Sequence, residues 1–487
     1  MTSQATLSAV IKNARDTMRK DAGLSGDIDR IPQLAWLLFL KAFDAQEQER
    51  EVVEPDFEPA IAAPYRWRDW AADPIEGKTG EELLQFVNND LIPYLRSLSG
   101  TRKDDPRDVI ADAFKETHNR MLSGYLLRDV VDEVNKVDFT SSDDIYTMAH
   151  LYESMLRQMR DAAGDAGEFY TPRPVIRFMV EQVGPQLGES ILDPAAGTGG
   201  FLVEAYEHLR PEVGNVEELQ ELEANLQGIE KKPLPYLLGM MNLLLHGIKR
   251  PAIVRQNALA QPVTQIAKRD KVDVVLTNPP FGGEEEKGIQ DNFPAATQTA
   301  ETAWLFLQLV MRRLKTDGRC GIVVPNGVLF ADGVGARIKE QLLDQCDLHT
   351  IVRLPDGVFA PYTDIPTNLL FFQKTGRTKE VWFYELPLPQ DRRKYTKTNP
   401  LQFEEFEEAH EWWGGSHREG RKETDHAWRV SIADIEDANY NLDITNPTAP
   451  GDLSHRPPKE LVADLFEVED GIRQTLGALE EVMTHLE

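Results

Sequence analysis

Cysteine is almost absent. The 487-residue chain has two, Cys320 and Cys346. They cannot build a disulfide framework and lie at no metal-ligand spacing, so both fit a reducing cytosol as small buried apolar residues. A membrane-spanning run is missing as well. The densest apolar stretch, Leu34-Ala35-Trp36-Leu37-Leu38-Phe39-Leu40, is far shorter than the roughly 20 residues a bilayer requires. No signal peptide is read at the start, which points to the cytoplasm and away from a membrane partner. Positive charge is scarce: 53 Lys and Arg stand against 81 Asp and Glu, a net charge of −28 with a pI near 4.8. Such a chain is repelled by a nucleic-acid duplex except along a local basic patch. If it acts on DNA, another subunit supplies much of the grip; the plain alternative is that acidity serves solubility. Neither the G-x-G-x-x-G spacing nor a P-loop lysine occurs. The 41% hydrophobic and 28% charged content is that of an ordinary globular chain, long enough for two or three domains.

What is present concentrates in two short stretches. The apolar run Val272-Asp273-Val274-Val275-Leu276 leads into Asn278-Pro279-Pro280-Phe281. An exocyclic amine conjugated to a purine ring is a poor nucleophile. Its protons must be taken up in hydrogen bonds before the nitrogen can pyramidalise and attack a methyl group. The Asn278 side-chain oxygen and the Pro279 carbonyl supply two acceptors beside a rigid turn, and Phe281 adds a flat face on which a base turned out of its helix can stack. The plain alternative is a strand followed by a proline-rich turn. Upstream, Ser190-Ile191-Leu192-Asp193-Pro194-Ala195-Ala196-Gly197-Thr198-Gly199-Gly200-Phe201 runs from a short apolar strand through a glycine-rich turn into a helix. That layout lets backbone amides and a helix N-terminus approach a nucleotide-like ligand, although many α/β proteins use it only to turn tightly.

The pair resembles motifs I and IV of S-adenosylmethionine-dependent amino-methyltransferases. Gly167-Glu168-Phe169-Tyr170-Thr171-Pro172-Arg173-Pro174 resembles their motif X, which packs near the methionine end of the cofactor. Val324-Pro325-Asn326-Gly327-Val328-Leu329-Phe330, Leu354-Pro355-Asp356-Gly357-Val358-Phe359-Ala360-Pro361-Tyr362 and Tyr440-Asn441-Leu442-Asp443-Ile444-Thr445-Asn446-Pro447 follow in order. Together they make nearly the whole chain similar to the modification subunit of type I restriction-modification systems, an adenine-N6 DNA methyltransferase.

The resemblance implies roles residue by residue. Asn278, Pro279, Pro280 and Phe281 would be catalytic. Asp193 would hold the amino end of the cofactor's methionine, with Ala195, Gly197, Thr198, Gly199, Gly200 and Phe201 forming the turn beneath it. Glu230, ending the second strand, would accept the ribose hydroxyls, as an acid does there in dinucleotide folds; beside Lys231 and Lys232 it also reads as a solvated loop acid. Asn257 stands where many relatives carry Asp to meet the adenine amine. Glu168, Phe169, Tyr170, Thr171, Pro172 and Arg173 would close on the cofactor, although Phe169 and Tyr170 can equally pack under the sheet. Methyl transfer from a sulfonium needs no metal, so Glu284-Glu285-Glu286 is expected to be a solvated flexible loop. Tyr362 and Asn368 border the expected mouth, or simply pack.

Four segments are expected: helical residues 1–150, a methyltransferase domain at 151–375, an irregular charged appendage at 376–456, and a helix at 457–487. In the first, Leu7, Val10, Ile11, Ala14 and Met18 keep helical spacing, as do Ile31, Leu34, Ala35, Leu38 and Phe39, with Asp27 a cap and Pro32 in the opening turn. Residues 111–127 and 145–159 continue the pattern. The second alternates strands at 191–192, 226–229, 253–255, 272–276, 321–324, 349–354 and 369–373 with helices at 235–246, 303–314 and 336–345. This predicts an α/β, doubly wound sheet with ligands at the carboxyl ends of its strands, and the resemblance implies the seven-stranded methyltransferase version. No clear helix joins the last two strands, which predicts an antiparallel pair. Trp382, Trp412 and Trp413 with Gly414-Gly415 are expected to pack, with DNA stacking the alternative. Leu461, Leu465, Val468, Ile472, Leu476, Leu479, Met483 and Leu486 form an apolar seam of coiled-coil type among acidic positions. It either folds back or packs on helices of another subunit.

No room for a target-recognition domain remains between Gly200 and Asn278, so sequence recognition is expected in another chain. The resemblance implies DNA as substrate, a specificity subunit, a second copy of this chain and a restriction subunit as partners. Alternatives are a methyltransferase acting on an RNA guanine amine or a protein glutamine, and a non-catalytic scaffold that binds the cofactor to sense it.

Overall fold

The computed structural model describes residues 4–139, 170–360 and 363–448, except 55–56, 74, 76, 102–104, 364 and 390–391, together with Ala149, Tyr152 and Leu156. Nine strands form one sheet: β1 (Ile191–Asp193), β2 (Leu226–Glu230), β3 (Ala252–Arg255), β4 (Val272–Thr277), β5 (Leu314–Pro325), β6 (Asp347–Arg353), β7 (Thr367–Gln373), β8 (Glu380–Glu385) and β9 (Ala427–Ser431). Their spatial order is β3-β2-β1-β4-β5-β7-β6-β8-β9. β1 to β5 run parallel to one another, while β7 lies antiparallel between β5 and β6. The chain steps outward from β1 to β3, then returns to place β4 on the other flank of β1. That reversal opens a crevice at the carboxyl ends of β1 and β4, where Asp193 and Asn278 lie.

Both faces of the sheet are covered, which is why its strands read as near-continuous apolar runs. Along β7, Leu369 and Phe371 enter one core and Leu370 and Phe372 the other. Helices Arg173–Val183, Gly200–Leu209 and Pro233–Leu245 contribute to the first core, and Thr302–Arg313 and Val334–Gln345 to the second. The N-terminal helices join the first core. Residues Leu34 to Leu40 on helix Asp27–Val53 are all buried, at 1% exposure or less, so this stretch of the helix is apolar all round because it is enclosed. Arg255, ending β3, donates to the Asp112 carbonyl at 3.1 Å and pairs with Glu116, tying the helical region to the sheet beside the crevice.

Several expectations change. Helix Asp27–Val53 has Gly26, not Asp27, in the cap position, and Pro32 lies inside the helix rather than in its first turn. Residues 111–127 are split between helices Pro106–Phe114 and Gly124–Asn135, with an irregular link held by Asp21, whose carboxylate accepts the Leu122 and Ser123 amides. Residues 376–456 are not irregular throughout: β8 and β9 extend the seven expected strands to nine, and helix Glu407–Trp413 docks on the sheet. Trp413 is buried against Phe371, ring centroids 4.8 Å apart, and Arg421 lies over both Trp412 and Trp413, so these tryptophans pack. Most of the expected helix at 145–159 and all of 457–487 lie outside the described residues, as do Glu168, Phe169, Pro361 and Tyr362.

Candidate active site

A cavity of about 380 Å³ opens at the reversal point, lined by Tyr170, Thr171 and Arg173, the turn from Asp193 to Phe201, Glu230, Asn257, Asn278 and Pro280. The cavity thus brings together residues of all three motifs, while Pro172, Pro174, Gly199, Pro279, Phe281 and the strand residues 190–192 are not part of its lining.

Glycine makes the turn possible. Gly197 and Gly199 have φ of +52° and +76°, a region that costs other L-residues strain. A Cβ on Gly199 would come within 2.5 Å of the Leu243 side chain. The buried Asn242 donates to the Thr198 carbonyl at 2.9 Å and fixes the turn from below. Arg173 donates to the Gly200 carbonyl at 3.0 Å, joining the motif X segment to the same turn, while Pro172 sits in the cap position of helix Arg173–Val183.

Two carboxylates face this turn. Asp193 is buried and accepts from Thr277 Oγ1 at 2.7 Å and from the Ala195 amide at 3.1 Å. Burial pushes its pKa up to about 7 despite those two hydrogen bonds, and Glu230 adds to the rise. Glu230 accepts from the Gly197 amide at 2.9 Å and the Lys232 amide at 2.6 Å. Burial raises its pKa too, opposed mainly by these amides. It is therefore a bound, buried acid and not a solvated loop residue. Asn257 spends its side-chain oxygen on the Leu259 amide at 3.0 Å; only that oxygen's second lone pair remains for an incoming amine.

Asn278 follows β4. Its Nδ2 donates to Thr171 Oγ1 at 2.9 Å, and its Oδ1 is buried with no hydrogen-bond partner among the described residues. A buried acceptor left unpaired costs about 1–3 kcal/mol, which an arriving N–H would recover. Phe281 is not among the residues lining the cavity and makes an edge-to-face contact with Phe359, centroids 5.3 Å apart at 79°. Asn368 is buried and donates to Asn326 Oδ1 at 3.1 Å, within a network that includes Asp443 and Arg353; its role is packing. Nor is the Glu284 loop loose: Glu284 bridges Glu301, and Glu285 pairs with Lys231 at 3.3 Å. Among the described residues no group of His, Cys, Asp or Glu is set to hold a metal, and no helix is long and apolar enough to cross a membrane. Thr277, Asn242 and the cavity-lining Thr302 and Phe306 were not foreseen. Nothing local in the sequence marks them, since each matters only through a partner far along the chain.

A nucleoside-sized cleft at the reversal of a doubly wound sheet, with Asn-Pro-Pro-Phe after β4, is the site of an amino-methyltransferase. The chain belongs to the N-6 DNA methylases: residues 142–456 match that family's model, and residues 7–134 match the HsdM N-terminal domain. It is 48% identical over 484 residues to the Type I restriction enzyme EcoEI methylase subunit of Escherichia coli, covering 97% of this chain and 98% of that one. The EcoKI methylase subunit of E. coli K12 is 30% identical over 457 residues, covering 87% and 80%. Among solved structures, a modification subunit of a type I restriction enzyme from Vibrio vulnificus YJ016 is 54% identical, with a TM-score of 0.82 over 93% of this chain and 99% of that one. A chain from a structure describing complex assembly of the type I R-M system is 43% identical, with a TM-score of 0.85 over the full length of both. The protein is thus a DNA methyltransferase of the type I modification-subunit kind, and S-adenosylmethionine is its cofactor. The residues present fit that molecule: two buried acids for its amino and hydroxyl donors, a turn with no room for a Cβ, and an unpaired acceptor at the reacting end.

Proposed function

We propose that this chain transfers a methyl group from S-adenosylmethionine to N6 of an adenine turned out of duplex DNA. The reading is carried by the buried, unpartnered Oδ1 of Asn278, oriented by Thr171 beside the cavity of Asp193 and Glu230. When bound, the cofactor would supply an electrophilic methyl on a sulfonium, with a neutral thioether as the leaving group. Asp193 and Glu230 hold the donor in place through its amino group and ribose, and Asn257 meets its adenine. Asn278 Oδ1 and the Pro279 carbonyl accept the two N6 protons of the target, which concentrates the nitrogen lone pair on the methyl carbon. The methylated nitrogen, cationic after transfer, then releases one proton to solvent. Phe281 offers the base its ring face.

The chain would act in the cytoplasm with a specificity subunit, a second copy of itself and a restriction subunit. Its net charge of −28 and the lack of space for a target-recognition domain between the motifs support delegated DNA recognition, and the apolar seam of residues 457–487 supports a coiled-coil contact with the specificity subunit. Changing Asn278 to Ala tests the catalytic reading. Turnover should vanish while cofactor binding persists; parallel loss of both would mean that the residue holds cofactor instead.

A further inference from the structure

In a chain with 28 more acids than bases, residues 392–397 stand out: Arg392, Arg393, Lys394 and Lys397 make four of six side chains cationic. Their position is set by the loop that follows β6. Tyr395, fully buried, donates its amide to the Asp356 carbonyl at 2.9 Å. Gly357, at φ +78°, lies so close beneath it that a Cβ there would come within 2.1 Å of the Tyr395 carbonyl oxygen. Two residues on, Phe359 carries the edge-to-face contact with Phe281 of the catalytic motif. The link from Asn278 to the basic segment is therefore short and packed at each step. Thr396 and Asn399 exchange backbone hydrogen bonds at 3.1 and 3.2 Å, which closes the segment into a turn. Arg392 pairs with Glu405 at 3.3 Å, and the side chains of Arg393, Lys394 and Lys397 reach the surface.

We propose that this turn is a phosphate clamp, in which Arg393, Lys394 and Lys397 bind the DNA backbone flanking the target nucleotide. The proposal rests on the reading of the site as a DNA methyltransferase. Most duplex affinity comes from cations neutralising phosphates, and such contacts position a duplex without reading its sequence. A clamp tied through Phe359 to Phe281 fixes the target nucleotide relative to the catalytic motif, while recognition is left to another chain.

The test uses the complex with the specificity subunit, PCR-amplified and hence unmethylated duplexes, and labelled S-adenosylmethionine. The triple variant Arg393→Ala, Lys394→Ala, Lys397→Ala should raise the KM for DNA about tenfold or more. The slope of log kcat/KM against log salt should become shallower by about 2–3, as loss of up to three phosphate contacts requires. Cofactor Kd should not move. The control triple Lys268→Ala, Arg269→Ala, Lys271→Ala removes the same charge just before β4, at the amino end of a strand whose carboxyl end carries Asn278, and should change neither quantity. Wild-type salt slope and KM in the first triple, or equal effects of both triples, overturn the clamp. Absence of methyl transfer to DNA by the wild-type complex would instead overturn the functional reading beneath it.

Discussion

Asn278 Nδ2 donates to Thr171 Oγ1 across 2.9 Å, a bond between residues 107 positions apart. With the amide in this orientation, Oδ1 is buried and has no hydrogen-bond partner among the described residues. Thr171→Val removes the hydroxyl and lets the amide turn. The kcat for DNA methylation should fall by roughly tenfold, about 1.4 kcal/mol in the barrier, with far less change in cofactor Kd. Thr171→Ser should restore most of the rate, and failure of that rescue would assign Thr171 to packing.

Asp193 makes cofactor binding depend on pH. Burial holds its pKa near 7 in the unliganded protein, so below that pH the carboxyl must lose a proton before it can face a cationic amino group. Isothermal titration should show cofactor Kd rising as pH falls from about 8 to 6, approaching tenfold per unit below the pKa. Stability runs the other way. A carboxyl whose pKa rises on folding stabilises the native state fully below its unfolded pKa of about 3.9, and that stabilisation is lost as pH climbs through about 7. Asp193→Asn should therefore melt higher than wild type at pH 8, with the difference vanishing near pH 4, while binding cofactor poorly throughout.

Gly199→Ala combines a left-handed backbone with a Cβ 2.5 Å from Leu243. The strain should cost about 1–3 kcal/mol of stability and displace the turn beneath the cofactor. Thermal unfolding with and without S-adenosylhomocysteine checks both effects; an unchanged Kd would show that the turn does not contact the ligand.

Deletion of residues 457–487 should abolish co-purification with the specificity subunit and leave cofactor binding intact. Full assembly without that segment would place the subunit contact elsewhere.

Strand alternation made the seven central strands legible, because apolar runs bounded by turns are a local signal, and Asn278-Pro279-Pro280-Phe281 is contiguous. The contacts that tune the site are not local. Thr277 reaches Asp193 across 84 residues, and Thr171 reaches Asn278 across 107, spacings no periodicity reveals. The two added strands were hidden differently. β8 reads Glu-Val-Trp-Phe-Tyr-Glu and β9 Ala-Trp-Arg-Val-Ser, short segments that carry charge, at both ends of β8 and in the middle of β9, and so resemble loop. Phe281 belongs to a contiguous motif, whereas its contact with Phe359, 78 positions along the chain, is visible only in three dimensions.

The central claim is methyl transfer to adenine N6 through Asn278. Incubating the complex with unmethylated DNA and deuterium-labelled S-adenosylmethionine, then analysing nucleosides by mass spectrometry, tests it directly. The account predicts label in N6-methyladenine alone, and none when Asn278→Ala replaces the wild type. Label in methylated cytosine, RNA or protein, or undiminished N6-methyladenine from the Asn278→Ala complex, would contradict it.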